Sequence, residues 1–351
     1  MIVKDIVREK ALKTNNVIAF KNNSTFSIKI NKTIEIVVVP NLGKINDHQD
    51  NVGIILERKK ILKILSRRYK NVSISEITCE EDLNKLVKRK PDLVFSGVKY
   101  FYFNNKKIWL NEHLDKYNIS YIASPKSALD NESDKNKAKK IILNAKIKTA
   151  DFFITSPGEH KTELSIPIAF PLFIKPVKGG DSRGVDEKSI VNNLLSFKTK
   201  VLDIKINHNS LSLVEKYLPG KEYSVGIFED NIDGSLKAMP IEIIVSKNIN
   251  GHCILDYNTK KNDEEKVIAV KDVKIFNRLS KLAKNSFKAL GGKSFGRIDV
   301  KMDSLGAPHF IEANLMPGLR KGYFYRSCVL NLEMNYEDMI FKIAETGLTS
   351  H

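Results

Sequence analysis

The amino-acid sequence predicts a mixed α/β (α+β) fold: an N-terminal parallel-sheet domain followed by two α+β subdomains. Three observations carry that expectation. Short β-branched runs alternate with helical spacing from Ile34 to Ile122, which implies parallel strands joined by crossover helices. A glycine-rich basic turn, KPVKGGDSRG from Lys175 to Gly184, follows a strand. Two strand-like stretches, Gly296 to Val300 and Phe310 to Asn314, are joined by a short turn at Asp303 to Ala307. The expected division is an extension at 1–33, an α/β domain at 34–127, a central subdomain at 128–214 and a C-terminal subdomain at 215–351.

The elements follow in order. Residues 1–33 show no clear period and read as an irregular or short-stranded extension. Ile34 to Val39 is a β-branched run ending at Pro40, with a loop holding Gly43 after it. The spacing of Ile54, Ile55, Leu62 and Leu65 suits an amphipathic helix. Val72 to Ile77 then reads as a strand, Glu80 to Lys88 as a helix, Asp92 to Phe95 as a strand, Trp109 to Tyr117 as a helix and Ile119 to Ile122 as a short strand. After Ser124-Pro125, Ser127 or Asp130 opens a helical segment and Asp134 to Asn144 is rich in helix formers. Strands are expected at Asp151 to Ile154 and Phe170 to Lys175, with a helix starting near Asp186 after the glycine turn. Leu211 to Leu218 opens the last region, which continues through a long helix from about Asp272 to Leu290, strands near Arg297 to Met302 and His309 to Glu312, and a closing helix at Tyr336 to Thr346.

Composition excludes several classes. With 351 residues, 42% of them hydrophobic, the chain can bury a core in each of two or three domains. Its longest apolar runs, Ile36 to Val39 and Ala169 to Ile174, fall far short of the roughly 20 residues a membrane-spanning helix needs. Met1 to Lys13 interleaves charged and aliphatic residues, unlike a signal peptide. Cys79, Cys253 and Cys328 form no C-x-x-C pair. A cytoplasmic, reduced location without a membrane partner is the expectation. The net charge of +17 invites nucleic acid, but it comes mostly from scattered Lys, whereas base readout favours clustered Arg. No specific nucleic-acid partner is expected.

Residue by residue, each chemical motif has a plain alternative. Lys175 with Gly179, Gly180 and Gly184 suits a cradle for phosphates, since small residues let backbone N–H groups approach the oxygens; it also suits a turn with a solvated lysine. Gly292-Lys293-Ser294 has the tail of a Walker loop, but Phe287 stands where the first glycine belongs. Strand alternation puts Arg297 and Asp299 on one face, and Glu312 and Asn314 on one face of the neighbouring strand. Those oxygen donors suit Mg2+, and a salt-bridged hairpin with Arg297 pairing Glu312 is the alternative. Glu215 to Glu222 and Asp256 to Asp263 read alone as a strand with a solvated face and an exposed loop.

Taken in chain order, DKNKAK, FIKPVKGGDSRG, LVEKYLPGKEYSV, DYNTKK, GRIDV and IEANLMPG resemble the ATP-grasp superfamily, most closely its D-alanine:D-alanine ligase branch. The resemblance covers Ser124 to about Gly318 and runs more loosely back to Ile34. It implies an ATP-grasp fold whose subdomains clamp ATP, and an enzyme: an ADP-forming carboxylate–amine ligase that uses Mg2+, two ions in the family, with Mn2+ as a substitute. Lys135 would reach the nucleotide phosphates, Lys175 the α/β-phosphates, and Ser182 the γ-phosphate under a loop of Gly179, Gly180 and Gly184. Glu215 would take the adenine amino group, the backbones of Lys216 and Leu218 the ring edge, and Glu222 the ribose, with Phe173 and Ile311 also in the nucleotide site. Lys260 would close as a lid, Asp299, Glu312 and Asn314 would hold metal, and Arg297 would meet the reacting oxygens, so that Arg297, Ser182 and Lys260 are the catalytic candidates.

Three departures from the family pattern fall on substrate positions. Asp181 precedes Ser182 where the family has two adjacent serines, Lys261 replaces a tyrosine, and Leu319-Arg320-Lys321-Gly322-Tyr323 after Gly318 replaces a Thr/Ser-rich turn. The HG-x-x-GEDG motif is also missing; Phe95 to Tyr100 stands in its place. Asp181, Lys261, Gly318, Arg320, Lys321 and Tyr323 are therefore the substrate candidates, with Arg320 or Lys321 able to pair a carboxylate. The substrates implied are a small-molecule carboxylate, an amino acid, and an amine, in an amino-acid or dipeptide ligase. A genuine D-alanine:D-alanine ligase and a non-catalytic ATP-binding regulator are the alternatives. The resemblance also suggests a homodimer.

Overall fold

The computed structural model describes residues 29–38, 52–180, 182–230, 232–246, 251–262 and 264–349. Its first sheet is parallel, in the order β2-β1-β3, from β1 (Ile30–Val38), β2 (Tyr69–Glu76) and β3 (Leu93–Ser96). β1 is apolar on both sides because both faces are covered: Ile34 and Ile36 enter one core and Val37 another. The helix Arg58–Arg68 buries Ile61, Ile64 and Leu65 on the first face, joined there by the C-terminal helix Tyr336–Thr349. The helix Glu80–Arg89 buries Leu83, Leu86 and Val87 on the second.

The sequence reading needs correction at several points in this region. β1 begins at Ile30, inside the segment expected to be irregular, while Val39, Pro40 and Gly43 lie outside the described residues. Ile54 and Ile55 precede the helix; the Ile54 N–H donates to the Gly97 carbonyl at 2.8 Å. An antiparallel hairpin, β4 (Tyr100–Phe103) and β5 (Lys106–Trp109), was not expected. It turns through Asn104 and Asn105, both at positive φ (49° and 61°), a two-residue hairpin loop for which Asn is well suited. The next helix spans only Leu110–Asp115, and Tyr121 makes an isolated bridge to Val94 rather than a strand.

The second sheet is antiparallel, ordered β6-β9-β7-β8, from β6 (Phe152–Thr155), β7 (Leu172–Pro176), β8 (Ile190–Val191) and β9 (Ser212–Lys216). A division at 214/215 would cut β9. The helix expected near Asp186 starts at Leu194, because Asp186 caps only a single 3-10 turn, Glu187–Ser189, and Asn193 supplies the true helix cap. Phe197, Val201 and Ile204 of the helix Leu194–His208 cover the sheet.

The third sheet, also antiparallel, runs β12-β11-β10-β13-β14 from β10 (Glu222–Glu229), β11 (Leu236–Ile244), β12 (Lys266–Ala269), β13 (Phe295–Met302) and β14 (Pro308–Asn314). The helices Val273–Ala289 and Tyr323–Leu332 pack on it. Thr149, ahead of β6, bridges Phe310 in β14 and joins the second region to the third. Among the described residues no helix is long and apolar enough to cross a membrane.

Gly296 lies where the long helix meets β13. A methyl group there would stand 2.6 Å from the fully buried Phe287 ring. Gly296→Ala should therefore destabilise the fold by about 2 kcal/mol through overpacking; an unchanged urea midpoint would show that Phe287 yields freely.

Candidate active site

A cleft lies between the second and third sheets, with ≈ 890 Å³ of empty space that opens in part to solvent. β7 and β9 supply Phe173, Lys175, Glu215 and Lys216, while β10, β13 and β14 supply Glu222, Asp299, Lys301, Ile311 and Glu312. Register explains the second group. Ser224 and Glu312 both sit opposite Asp299, Lys301 sits opposite Glu222, and Asn314 opposite Arg297, so these side chains share one face. Asp134 caps the helix Lys135–Asn144, and the Lys135 N–H donates to the Val177 carbonyl, which sets that helix start against the glycine turn. The Lys135 ammonium donates to the Gly179 carbonyl at 2.6 Å.

Glu215 is the hub of the basic cluster. Its two oxygens meet Lys139 at 2.6 Å and Lys175 at 2.7 Å. Burial pushes this carboxyl up, but the two ammonium groups more than reverse that and hold it at about 2. Lys139 is itself fully buried and also donates to Thr149, and burial lowers its pKa despite Glu215. Lys135 is lowered as well, by burial and by the charge of Lys175. Burial acts in the same sense on Lys175, yet Glu215 and Glu312 raise it overall. Glu312 lies under Lys135, Lys260, Lys175 and Arg297, which outweigh its burial and lower its pKa.

The expected Arg297–Glu312 bridge is replaced by a fork from Arg297 onto Asp299, with Nε at 3.0 Å and an amino nitrogen at 2.9 Å. Ser224 donates to Asp299 at 2.7 Å. A carboxylate has about four lone-pair sites, so Asp299 keeps one for another ligand. Asn314 has a buried side-chain Nδ2 without a partner, and Glu312 faces Asp299 across the ladder. Two carboxylates and the oxygen of the Asn314 amide are hard donors that fit a divalent cation such as Mg2+, which takes few protein ligands and keeps its remaining positions for water and phosphate. Among the described residues no group of three or more His, Cys, Asp and Glu is placed to hold a metal ion; the set of Asp299, Glu312 and Asn314 contains two carboxylates and an amide.

Of the residues named from the sequence, Lys135, Phe173, Lys175, Gly179, Gly180, Ser182, Glu215, Lys216, Leu218, Glu222, Lys260, Ile311, Asp299 and Glu312 all line the cleft. Ser182 is at positive φ, and its hydroxyl donates to the Leu255 carbonyl at 3.1 Å. The Lys216 N–H is spent on the Asp151 carbonyl. Gly184 is not in the cleft wall; it has φ 77°, and a methyl group there would meet Pro176 at 2.6 Å, so its glycine answers to packing. Tyr323 is buried beside Arg297, whose guanidinium lies 5.4 Å from the ring, and Lys260, at 6.0 Å. Burial and neighbouring Glu265 raise the Tyr323 hydroxyl. Gly318, Arg320 and Lys321 are exposed and outside the cleft wall, so the expected carboxylate partners are not brought into it. Asp181 lies outside the described residues, as does the side chain of Lys261.

Lys139 and Lys301 were missed by the sequence reading. Lys301 donates to Glu222 at 2.9 Å and to the Cys253 carbonyl at 3.4 Å. Both had a signal: Lys139 is four residues after Lys135, on the same helical face, and Lys301 is two after Asp299 on its strand. The network thus sets six basic groups, Lys135, Lys139, Lys175, Lys260, Arg297 and Lys301, against four carboxylates, Glu215, Glu222, Asp299 and Glu312.

The model of the family described as "D-ala D-ala ligase C-terminus" matches residues 141–345. A D-alanine–D-alanine ligase of Aquifex aeolicus is 30% identical over 254 residues, covering 70% of this chain and 79% of that one. D-alanine–D-alanine ligase A of Bacillus cereus is 25% identical over 303 residues, 86% of this chain and 94% of its own. A crystal structure of the Bacillus anthracis D-alanine–D-alanine ligase complexed with ATP superposes with a TM-score of 0.64 at 20% identity, covering 90% of this chain and 97% of that one. The protein is thus an ATP-grasp enzyme of the carboxylate–amine ligase class. Within that class, the chain belongs to the D-alanine–D-alanine ligase family.

Glu215 makes acid stability a test of the hub. Its pKa in the fold, about 2, is below the ordinary value of 4.5, so the stabilisation it brings is present above pH 4.5 and is lost as pH falls toward 2. The expected loss is about 3 kcal/mol across that window. Lys139→Met should weaken the fold at pH 7 and flatten this loss; urea midpoints at pH 7 and pH 3 measure both, and an unchanged pH slope would remove Lys139 from the hub.

Proposed function

We propose that the protein is a Mg-ATP-dependent, ADP-forming ligase that joins an amino-acid carboxylate to an amine through an acyl phosphate. The observation that carries this is the surplus of two positive charges in the network that borders the cleft, six basic groups against four carboxylates. Uncompensated buried charge of that sign calls for a polyanion, and a triphosphate is one.

On this reading Lys135 and Lys175 bind and orient the phosphates, with Glu215 holding Lys175 in place. Glu222 and the stretch from Lys216, the last residue of β9, to Leu218 receive the nucleoside. Asp299, Glu312 and Asn314 would hold magnesium, which supplies charge neutralisation on the phosphate oxygens. The substrate carboxylate attacks the γ-phosphorus and ADP leaves; the amine then attacks the acyl carbon of the resulting mixed anhydride, releasing phosphate. Arg297, held flat by Asp299, is positioned to donate to the oxyanion of that second step. Ser182 and Lys260, on the two segments over the cleft, exclude water from the anhydride.

We further propose that the substrates differ from a D-alanine pair. Asp181, Lys261 and the Arg320–Tyr323 stretch replace the small and hydroxylated residues of the family pattern, and Tyr323 with Arg297 and Lys260 forms the acceptor side. Phosphate release from Mg-ATP across paired L- and D-amino acids, dipeptides and small acids, with products weighed by mass spectrometry, identifies the pair. D-alanine alone sufficing would overturn the altered-acceptor proposal.

Two variants test the assignments once melting curves show that they fold. Lys175→Ala should weaken ATP binding about tenfold or more, as loss of a charge-assisted hydrogen bond implies; unchanged affinity would refute the phosphate role. Glu312→Gln should cut ATP turnover by about two orders of magnitude at saturating magnesium, since several kcal/mol of charge stabilisation depends on it. Wild-type turnover in that variant would refute the metal site.

A further inference from the structure

Three chain segments meet at a carboxylate outside the cleft wall. Glu132 is the penultimate residue of the helix Lys126–Ser133, three residues before Lys135. One of its oxygens pairs with Lys99 at 2.5 Å, and the two side chains are only 4% and 6% exposed. The other accepts a hydrogen bond from the backbone N–H of Leu315, the first residue after β14. Lys99 is fixed in turn, just past the carboxyl end of β3, by backbone hydrogen bonds from its own N–H to Val52 and from Leu110 to its carbonyl. The carboxylate therefore ties the mouth of the parallel sheet, the helix that leads into Lys135 and the end of the metal-bearing strand.

Burying a Lys–Glu pair costs desolvation, and an apolar pair of the same shape would often serve stability as well. What an apolar pair cannot do is accept the Leu315 N–H. That hydrogen bond fixes the Asn314–Leu315 peptide plane, and with it the direction in which the Asn314 side chain leaves the strand. The Asn314 amide nitrogen is buried without a protein partner to orient the group. We propose that Glu132, held by Lys99, is a positioning residue that keeps Asn314 on the face it shares with Glu312. The inference rests on the metal reading of Asp299, Glu312 and Asn314.

The test measures ATP affinity of the full chain by calorimetry in EDTA and across a magnesium series, alongside Tm. Exchanging the charges, Lys99→Glu with Glu132→Lys, restores the ion pair but sets an ammonium donor against the Leu315 N–H. It should keep ATP affinity in EDTA within about twofold, and raise the magnesium concentration that gives half of the affinity gain by about tenfold, the usual cost of losing a residue that orients a metal ligand. Lys99→Met with Glu132→Gln leaves no buried charge and keeps an amide oxygen for Leu315, so it should retain the wild-type magnesium midpoint. An exchanged variant with the wild-type midpoint, or a Met/Gln variant that shifts as far as the exchanged one, would overturn the positioning role. A wild-type protein whose ATP affinity ignores magnesium would overturn the metal reading and this inference together.

Discussion

The arrangement of the cleft depends on one constraint: five lysines and an arginine are gathered around four carboxylates in a largely buried place. Glu215 makes this tolerable by accepting from Lys139 and Lys175 at once, and its low pKa keeps it charged throughout the physiological range. Glu312 works in the same way from the opposite sheet, facing Lys135, Lys260, Lys175 and Arg297. Neither carboxylate alone balances its surroundings. The residual positive charge is what the proposed binding of an anion of several charges would answer, with two separate sheets contributing to one site.

That division of labour is visible in the elements. The second sheet presents lysines and the Glu215 hub from neighbouring antiparallel strands, where Phe173 stands opposite Glu215 and Lys175 opposite Leu213. The third presents carboxylates along a single face of three adjoining strands. The helix from Lys135 crosses between them, with Lys139 reaching both Glu215 and the Thr149–Phe310 bridge. A polyanion held between these walls would touch both sheets at once. The segments over the cleft are tied before any such event: Ser182 on the glycine turn already donates to Leu255, four residues after which comes Thr259, next to Lys260.

Much of this was legible in the sequence, and what was not has identifiable causes. The order of motifs gave the fold, and period-two alternation gave the shared face of Arg297, Asp299, Glu312 and Asn314 without any structure. Alternation says which face a side chain takes but not which partner it chooses: Arg297 lies within reach of two carboxylates, and the nearer one on its own strand, Asp299, wins over Glu312. The helix expected at Asp186 failed because a capping residue announces a turn of helix and not its length. Arg320 and Lys321 carry the right charge for a substrate carboxylate, yet nothing in the sequence reports that they face solvent. Glu132 carries no motif at all; its role comes from Lys99 and Leu315, 33 and 183 positions away.

The contrast between the two halves of the site follows from their chemistry. A triphosphate presents the same charges to every enzyme that uses it, so the groups that meet it must be cations and metal-binding oxygens, and here they are. The acceptor side answers to the shape and charge of particular molecules. On the side proposed for the acceptor, a buried aromatic hydroxyl at Tyr323 stands among Arg297, Lys260 and Arg326, with Glu265 paired to Arg326 behind it. A tyrosine ringed by cations keeps its ring as a π surface for them and its hydroxyl neutral, because burial and Glu265 disfavour the phenolate more than the cations favour it. On the proposed reading, this neutral, polarisable ring backed by positive charge would orient an anionic group of the substrate by its field without pairing with it, which is what a carboxylate about to attack a phosphorus requires.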